Sequence, residues 1–354
     1  MNRSIKKFYP SIIIVPGEII LDHMEANNMN QKELALRLGL SKEHLNKIIK
    51  GHTAITIETA MALESVFGMP SNFWLNLEIN HQENLKRRNI LNTENEENSI
   101  LNKIPYAEIC KRGWLEKEDD QIMQITQLRS FFRVNNLINI NNVYECAFRV
   151  QQKKQFNQYA QAAWIANGEN EAIKADIVPF NKKKFEGCIQ EIKKATLMDG
   201  IDSFKKIKEI CANVGVALII EKELNGTFTH GVTKWLTPDK VMIIISLRGS
   251  FSDVIWFSLF HELGHALLHG KKFDYSDVTE NEEEEADEFS SNTLIPLKEY
   301  LNFVNHFQID KSNIISFAKS VGIEAGVVVG RLAHDKKILF SQFSELRRRY
   351  KWNS

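Results

Sequence analysis

Five residues, His261-Glu262-Leu263-Gly264-His265, constrain this chain more than any other stretch. They lie in a largely apolar run from Phe257 to Leu268. Two imidazoles and a carboxylate in such a run are costly to bury unless they are hydrogen-bonded or hold a metal ion. Helical spacing removes the conflict. Residues four apart stand one above the other on a helix, so His261 and His265 can grip one ion. Glu262 is turned about 100° around the axis and can reach a water on that ion without ligating it. Val254, Phe257, His261, Gly264, His265 and Leu268 form the helical stripe, Ser252 or Asp253 can cap its start, and Gly270 can end it.

A catalytic zinc takes three protein ligands and leaves one position open. His269 continues the ladder of four but stands about 12 Å along the axis from His261, too far for both to bind one ion; it reads as a hydrogen-bonding group at the helix end. The third ligand is expected in Glu280 to Glu288, where seven of nine residues are carboxylates. The helix that follows has Ala286, Phe289, Thr293 and Leu294 as its inward positions. Glu285 stands one turn before Phe289 at the edge of that face, Glu282 lies on the same side, and Glu283, Glu284 and Glu288 point elsewhere. The expected ligand set is therefore His261, His265 and Glu285 around Zn2+, with Glu282 as the alternative, Asp287 in support and Glu262 as the catalytic base.

The 354 residues carry 45 basic and 45 acidic side chains, a neutral sum that hides local charge. Between Gln31 and Gly51, Lys32, Arg37, Lys42, Lys47 and Lys50 outnumber Glu33 and Glu43, leaving +3. The same stretch is written as two short helices around a turn: Ala35 where they cross, Gly39 for the turn, Ser41 as cap, and Leu45, Ile48 and Ile49 inward. The second helix then turns Ser41, Lys42, His44, Asn46 and Lys47 outward, where Asn can read adenine and Lys can read guanine or bind phosphate. With Gln31 and Lys50 these are the expected contacts to a double-stranded DNA operator.

The order of these signals predicts an α+β, mainly helical chain: a helix-turn-helix domain over 1–91, a linker at Asn92 to Asn98 opening a helical middle region to 200, and a metal-binding domain with a small sheet over 201–354. The middle shows no catalytic constellation, and Gln151 to Gln158 and Lys182 to Lys184 read as solvated faces. Strand Val241 to Ser246 is a candidate sheet edge for a substrate, and His230, Tyr275, Arg331 and His334 are candidates for stabilising an oxyanion. Ala318, Gly322 and Ile323 repeat the spacing of Ala35, Gly39 and Leu40, but the helix that follows is apolar and reads as packing; Arg347, Arg348, Arg349 and Lys351 read as a solvated helix end. Cys110, Cys146, Cys188 and Cys211 make no C-x-x-C pair, which points to buried thiols. The run Ile12 to Val15 stops at Pro16, far short of a signal-peptide core or membrane span, so a cytoplasmic location without membrane contact is expected.

Two resemblances extend these readings. Pro16-Gly17-Glu18, Gln31-Lys32-Glu33-Leu34-Ala35, Ile55-Thr56-Ile57-Glu58-Thr59-Ala60 and Asn72-Phe73-Trp74-Leu75 resemble HigA-type antitoxins of the XRE helix-turn-helix class. That resemblance implies a homodimer on an operator with two half-sites and admits a toxin as a further partner. The segment Phe204 to Arg331 resembles the ImmA/IrrE zinc metallo-endopeptidases, through Gly231-Val232-Thr233-Lys234-Trp235, Trp256 to His265, Glu285-Ala286-Asp287-Glu288-Phe289, Leu294-Ile295-Pro296 and Val329-Gly330-Arg331-Leu332. It places the family's ligands on His261, His265 and Glu285 and its catalytic glutamate on Glu262, and implies cleavage of a helix-turn-helix repressor. The other expectation is a HigA-like antitoxin or repressor whose metal domain senses or scaffolds without proteolysis.

Overall fold

The computed structural model describes residues 15–92, 94–144, 156–273 and 279–350; Ile12 to Ile14, Cys146, Gln151 to Gln155, Tyr275 and Lys351 lie outside them. The chain divides into two compact units, Met1–Glu96 and Glu97–Ser354.

The first unit is all helical: α1 (Pro16–Ala26), α2 (Gln31–Leu38), α3 (Lys42–Ile49), α4 (Ile57–Phe67) and α5 (Ser71–Asn92). Its punctuation is local. Asn30, Ser41 and Thr56 each accept a backbone N–H of the helix they open, and Gly39 takes the left-handed conformation (φ 68°) that ends α2. The Glu64 carboxylate accepts the Ser71 N–H at 2.8 Å. Ile20, Leu34, Leu45, Ala60, Leu63 and Trp74 form the centre of its core. Gly17 lets α1 cross α3, since a Cβ there would stand 1.9 Å from the Ile49 carbonyl oxygen.

The second unit takes in α6 (Glu94–Leu101) from Glu97 onward, then α7 (Tyr106–Lys111), α8 (Gln121–Phe132), α9 (Ile140–Val143) and α10 (Gln158–Lys174). Helix α6 replaces the expected linker. Its Glu97 is buried and accepts bonds from the Arg129 guanidinium and from the Leu137 N–H at 2.8 Å, so the segment that reads as a linker is tied into the core by one residue. After α11 (Lys182–Lys194), whose Lys182 to Lys184 are exposed as expected, and α12 (Gly200–Ala212), a three-stranded sheet follows. Its strands are β1 (Val216–Ile220), β2 (Gly231–Thr237) and β3 (Lys240–Ile245), in the order β1-β3-β2. β3 runs parallel to β1 and antiparallel to β2.

β3 is therefore central, and the edge beside it is β2. This corrects the expectation that Val241 to Ser246 forms the edge, and the cause lies in its composition. Val241, Ile243 and Ile245 enter one core while Met242 and Ile244 enter another, so the strand is buried on both faces and shows no polar alternation. The second of these cores is built from the middle region: Leu128, Phe132 and Trp164 pack with Ala217, Met242 and Ile244. At Gly168 of α10 a Cβ would stand 2.7 Å from Ile244 Cδ1. The expected boundary at 200/201 consequently falls inside one unit, whose helices α6 to α10 back the sheet.

The other face carries α13 (Ser252–Leu268), α14 (Glu280–Leu294), α15 (Leu297–His306), α16 (Lys311–Val321) and α17 (Ala325–His334). Val327, Val328 and Val329 of α17 are buried, in line with a packing role. Arg347 corrects the reading of a solvated end, while Arg348 and Arg349 are exposed. Arg347 grips Asp253 at the start of α13 through two bonds of 2.9 and 2.7 Å, and Arg348 reaches Asp199 at 2.8 Å. Arg347 and Arg349 lie 3.9 and 4.3 Å from the Phe251 ring centre. Phe251 supplies the counter-surface that sequence spacing does not reveal. Among the described residues, no single helix is long and apolar enough to cross a membrane.

Candidate metal centre

The expected helix exists as α13, and it presents both histidines on one face. His261 Nε2 and His265 Nε2 lie 3.0 Å apart, and the Glu283 carboxylate stands 3.2 Å from the first and 3.6 Å from the second. Ligands about 2.0–2.1 Å from a tetrahedral ion are about 3.4 Å apart, so two imidazoles and one carboxylate at these separations fit a single zinc. The donor set is also the borderline nitrogen and oxygen chemistry that zinc accepts.

The third member of this cluster is Glu283, where sequence reading expected Glu285 with Glu282 as the alternative. The buried face of α14 is Ala286, Ser290 and Leu294, and Glu283 precedes these by three, seven and eleven residues. Gly264 fixes that face against α13: its Cβ would meet the Ala286 Cα at 3.3 Å. Phe289 is only partly buried, so using it with Thr293 to define the inward side rotates the choice around the helix toward Glu285. Glu285 instead accepts from Asn281 at 2.9 Å and lies 3.2 Å from His269 Nε2. Glu282 closes a capping box with Thr279 and pairs with Lys272 at 2.8 Å. Asp287 does support the site, 2.8 Å from His261 Nδ1. Hydrogen bonds from His261 and His265 hold the Glu283 carboxyl far below the usual carboxylate range.

Glu262 is buried beside the pair. The Thr233 hydroxyl lies 2.7 Å from its Oε2 and 3.0 Å from its carbonyl oxygen. Burial pushes its carboxyl up, opposed by the adjacent His261 and His265 and by Thr233. Gly231 explains how β2 can pass so close: a Cβ there would stand 2.6 Å from Glu262 Cγ. Thr233 and Gly231 belong to a stretch that sequence reading singled out without giving either a role.

The centre opens into a cleft of about 750 Å³ whose walls include His230, Phe257, Arg331 and His334. Arg331 is committed to Asp335 at 2.8 Å and stacks over Tyr300, whereas the His334 side chain is 85% exposed. One wall residue comes from the middle region. Gln161 of α10 is 2% exposed, and its buried Oε1 has no hydrogen-bond partner among the described residues. The available signal was a lone amide inside Tyr159 to Ala166, otherwise an apolar run.

In the first unit, Ser41, Lys42, Lys47 and Lys50 are exposed and Gln31, His44 and Asn46 are half-buried. The Ser41 oxygen is engaged in its cap, accepting the His44 N–H at 3.1 Å. Arg37 is paired with Glu33 at 2.9 Å.

Comparison with known proteins divides the chain in the same way. Residues 20–74 match the helix-turn-helix family, and residues 252–333 match the IrrE N-terminal-like domain. The helix-turn-helix-type transcriptional regulator YddM of Escherichia coli K12, itself uncharacterized, is 30% identical over 63 residues, 18% of this chain and 67% of that protein. An addiction-module antidote protein of the HigA family from Coxiella burnetii is 27% identical, covering 24% of this chain and 92% of its own, with a TM-score of 0.22. A Nostoc punctiforme protein described as an antidote of a plasmid maintenance system is 29% identical, covering 25% and 93%, with a TM-score of 0.22. The chain belongs to the helix-turn-helix transcriptional regulators through its N-terminal unit and carries, toward its C-terminus, the IrrE N-terminal-like domain of a peptidase family.

Proposed function

We propose that this chain is a DNA-binding regulator whose second unit is a zinc-dependent endopeptidase, cleaving a helix-turn-helix repressor or a related regulatory protein. The observation that carries the reading is the convergence of His261, His265 and Glu283 beside the buried Glu262. When bound, zinc supplies Lewis acidity, making water acidic near neutral pH and polarising a peptide carbonyl. Glu262 then serves as the proton carrier, taking a proton from the attacking water and giving it to the leaving amine. Its raised carboxyl pKa suits both halves of that task, and Thr233 holds one carboxylate oxygen in place.

The substrate is placed as a strand on the outer edge of β2. The Trp235 N–H points to that edge, bonding the Lys272 carbonyl at 2.9 Å, while the His230 carbonyl points inward to Ser246. Two-residue alternation puts the Gly231 and Thr233 peptide groups on the outer edge too, next to Glu262. His230 and His334 are the groups proposed to face the developing oxyanion.

For the first unit, the proposal is a homodimer on a two-half-site operator, with α3 in the major groove and Lys42, Lys47 and Lys50 as its exposed cations. The test is direct. Purified wild-type chain should carry one zinc, and Glu262→Gln should keep that zinc, retain operator binding and lose the cleavage of helix-turn-helix repressors that the wild type performs. Cleavage surviving Glu262→Gln would sink the mechanism.

A further inference from the structure

The two histidines of the centre are supported unequally from behind. His261 Nδ1 meets the Asp287 carboxylate directly, at 2.8 Å. Among the described residues, His265 Nδ1 meets no carboxylate. It lies 2.9 Å from Nδ1 of His269, whose Nε2 lies 3.2 Å from Glu285 Oε2. The second oxygen of Glu285 is held by Asn281 at 2.9 Å. The His269 side chain is 5% exposed, and its two ring nitrogens face His265 and the half-exposed Glu285.

We propose that His269 and Glu285 form a positioning relay that fixes the ring and tautomer of His265, with the imidazole of His269 conveying the carboxylate's influence across a gap that Glu285 cannot span alone. The inference rests on the metal-centre reading of His261, His265 and Glu283. The proton directions support it. An imidazole that ligates through Nε2 keeps its proton on Nδ1 and donates it backward. His269 must then accept at Nδ1, which leaves its own proton on Nε2, facing Glu285. Every donor meets an acceptor along the chain from His265 to the carboxylate. With the tautomers reversed, the donor at His269 Nδ1 would face the donor of His265, and Glu285 would face an unprotonated nitrogen.

The relay also gives roles to two residues that the metal centre leaves unused. His269 is too far along the helix to share the ion with His261, and Glu285 stands on the wrong side of α14. Glu285 reaches His269 from a helix whose ligand is Glu283, two residues earlier. Helix α14 therefore supports both histidines: Asp287 acts on His261 directly and Glu285 acts on His265 through His269.

The experiment is zinc affinity of the full chain, measured by competition with a chromogenic chelator, together with the ring-nitrogen NMR signals of His265 in the zinc-loaded protein. Folding of each variant is checked by circular dichroism. His269→Ala should weaken zinc binding by about 10–100-fold and leave the His265 Nδ1 proton unprotected from exchange. His269→Asn, whose amide can present an oxygen near the former Nδ1, should recover most of that loss. Glu285→Gln should weaken binding by less than His269→Ala. Affinity within twofold of wild type in His269→Ala overturns the relay, as does a loss that His269→Asn does not recover with the His265 signals unchanged. Glu283→Gln separates the two readings: if it binds zinc like the wild type, or if the wild type binds none, the metal centre itself falls.

Discussion

Helices α2 and α3 of the first unit and α16 and α17 of the second share one piece of grammar and use it for opposite ends. In each pair a small residue, Ala35 or Ala318, is buried one turn before a glycine in the left-handed conformation, Gly39 at φ 68° or Gly322 at φ 71°. The residue after the glycine returns its N–H to the alanine carbonyl, Leu40 at 2.9 Å and Ile323 at 3.1 Å. From there the pairs diverge. Helix α3 exposes Lys42 and Lys47, while α17 buries Val327, Val328 and Val329 and fits Gly330 against Asp253. The turn thus specifies how two helices meet, and the side chains of the second helix decide whether the pair presents a surface or fills a core.

The largest effect is expected where the comparison is broken by exchanging surface for core. Val328→Asp buries an unpaired charge in the second unit and should cost about 4 kcal/mol or more, read as loss of its unfolding transition in denaturant; a stable fold would mean that α17 does not hold this unit together. At the corresponding surface, Lys47→Ala should leave thermal stability unchanged while weakening operator binding and lowering the salt slope by roughly one phosphate contact. An unaltered slope would remove Lys47 from the phosphate contacts. The shared turn is tested by Gly39→Ala and Gly322→Ala. Neither Cβ would meet a neighbour within 4 Å, so each should cost about 1–2 kcal/mol from the left-handed backbone alone. A large difference between them would show that the turns are not equivalent.

The smallest expected effect contrasts two carboxylates. Hydrogen bonds from Ser71 lower the Glu64 carboxyl, so its contribution is present above the ordinary carboxylate pKa and is lost as pH falls through the lowered value. Burial raises that of Glu324, despite its bond to Ser252, so its contribution is present below the ordinary value and is lost as pH rises through the raised one. Glu64→Gln and Glu324→Gln should therefore change the pH dependence of the melting temperature in opposite senses. The same sense in both would contradict this assignment.

Sequence resolves those parts whose information is local. The metal helix was legible because ligand spacing and helical period coincide in five residues, and the first unit because Asn30, Ser41, Thr56 and Gly39 act within their own turns. The choice of Glu283 was not, since seven carboxylates in nine residues leave only a rotation of the helix to separate them, and that rotation is set by Gly264 on another helix. Helix α10 was equally opaque. Buried on nearly every side, it lacks a polar face to set against an apolar one, so neither its place behind the sheet nor Gln161 in the cleft announced itself.

The grip of Arg347 on Asp253 joins positions 94 residues apart, both nearly sealed from solvent. A ribosome makes the HExxH helix long before it makes the arginine that anchors that helix's first turn. Until Arg347 is made Asp253 has no counter-charge to pair with, while the residues of the first unit, joined by much shorter spans, have already left the exit tunnel. Translation thereby imposes an order on the two units: the helix-turn-helix can reach its folded form while the peptidase-family unit still lacks its clasp.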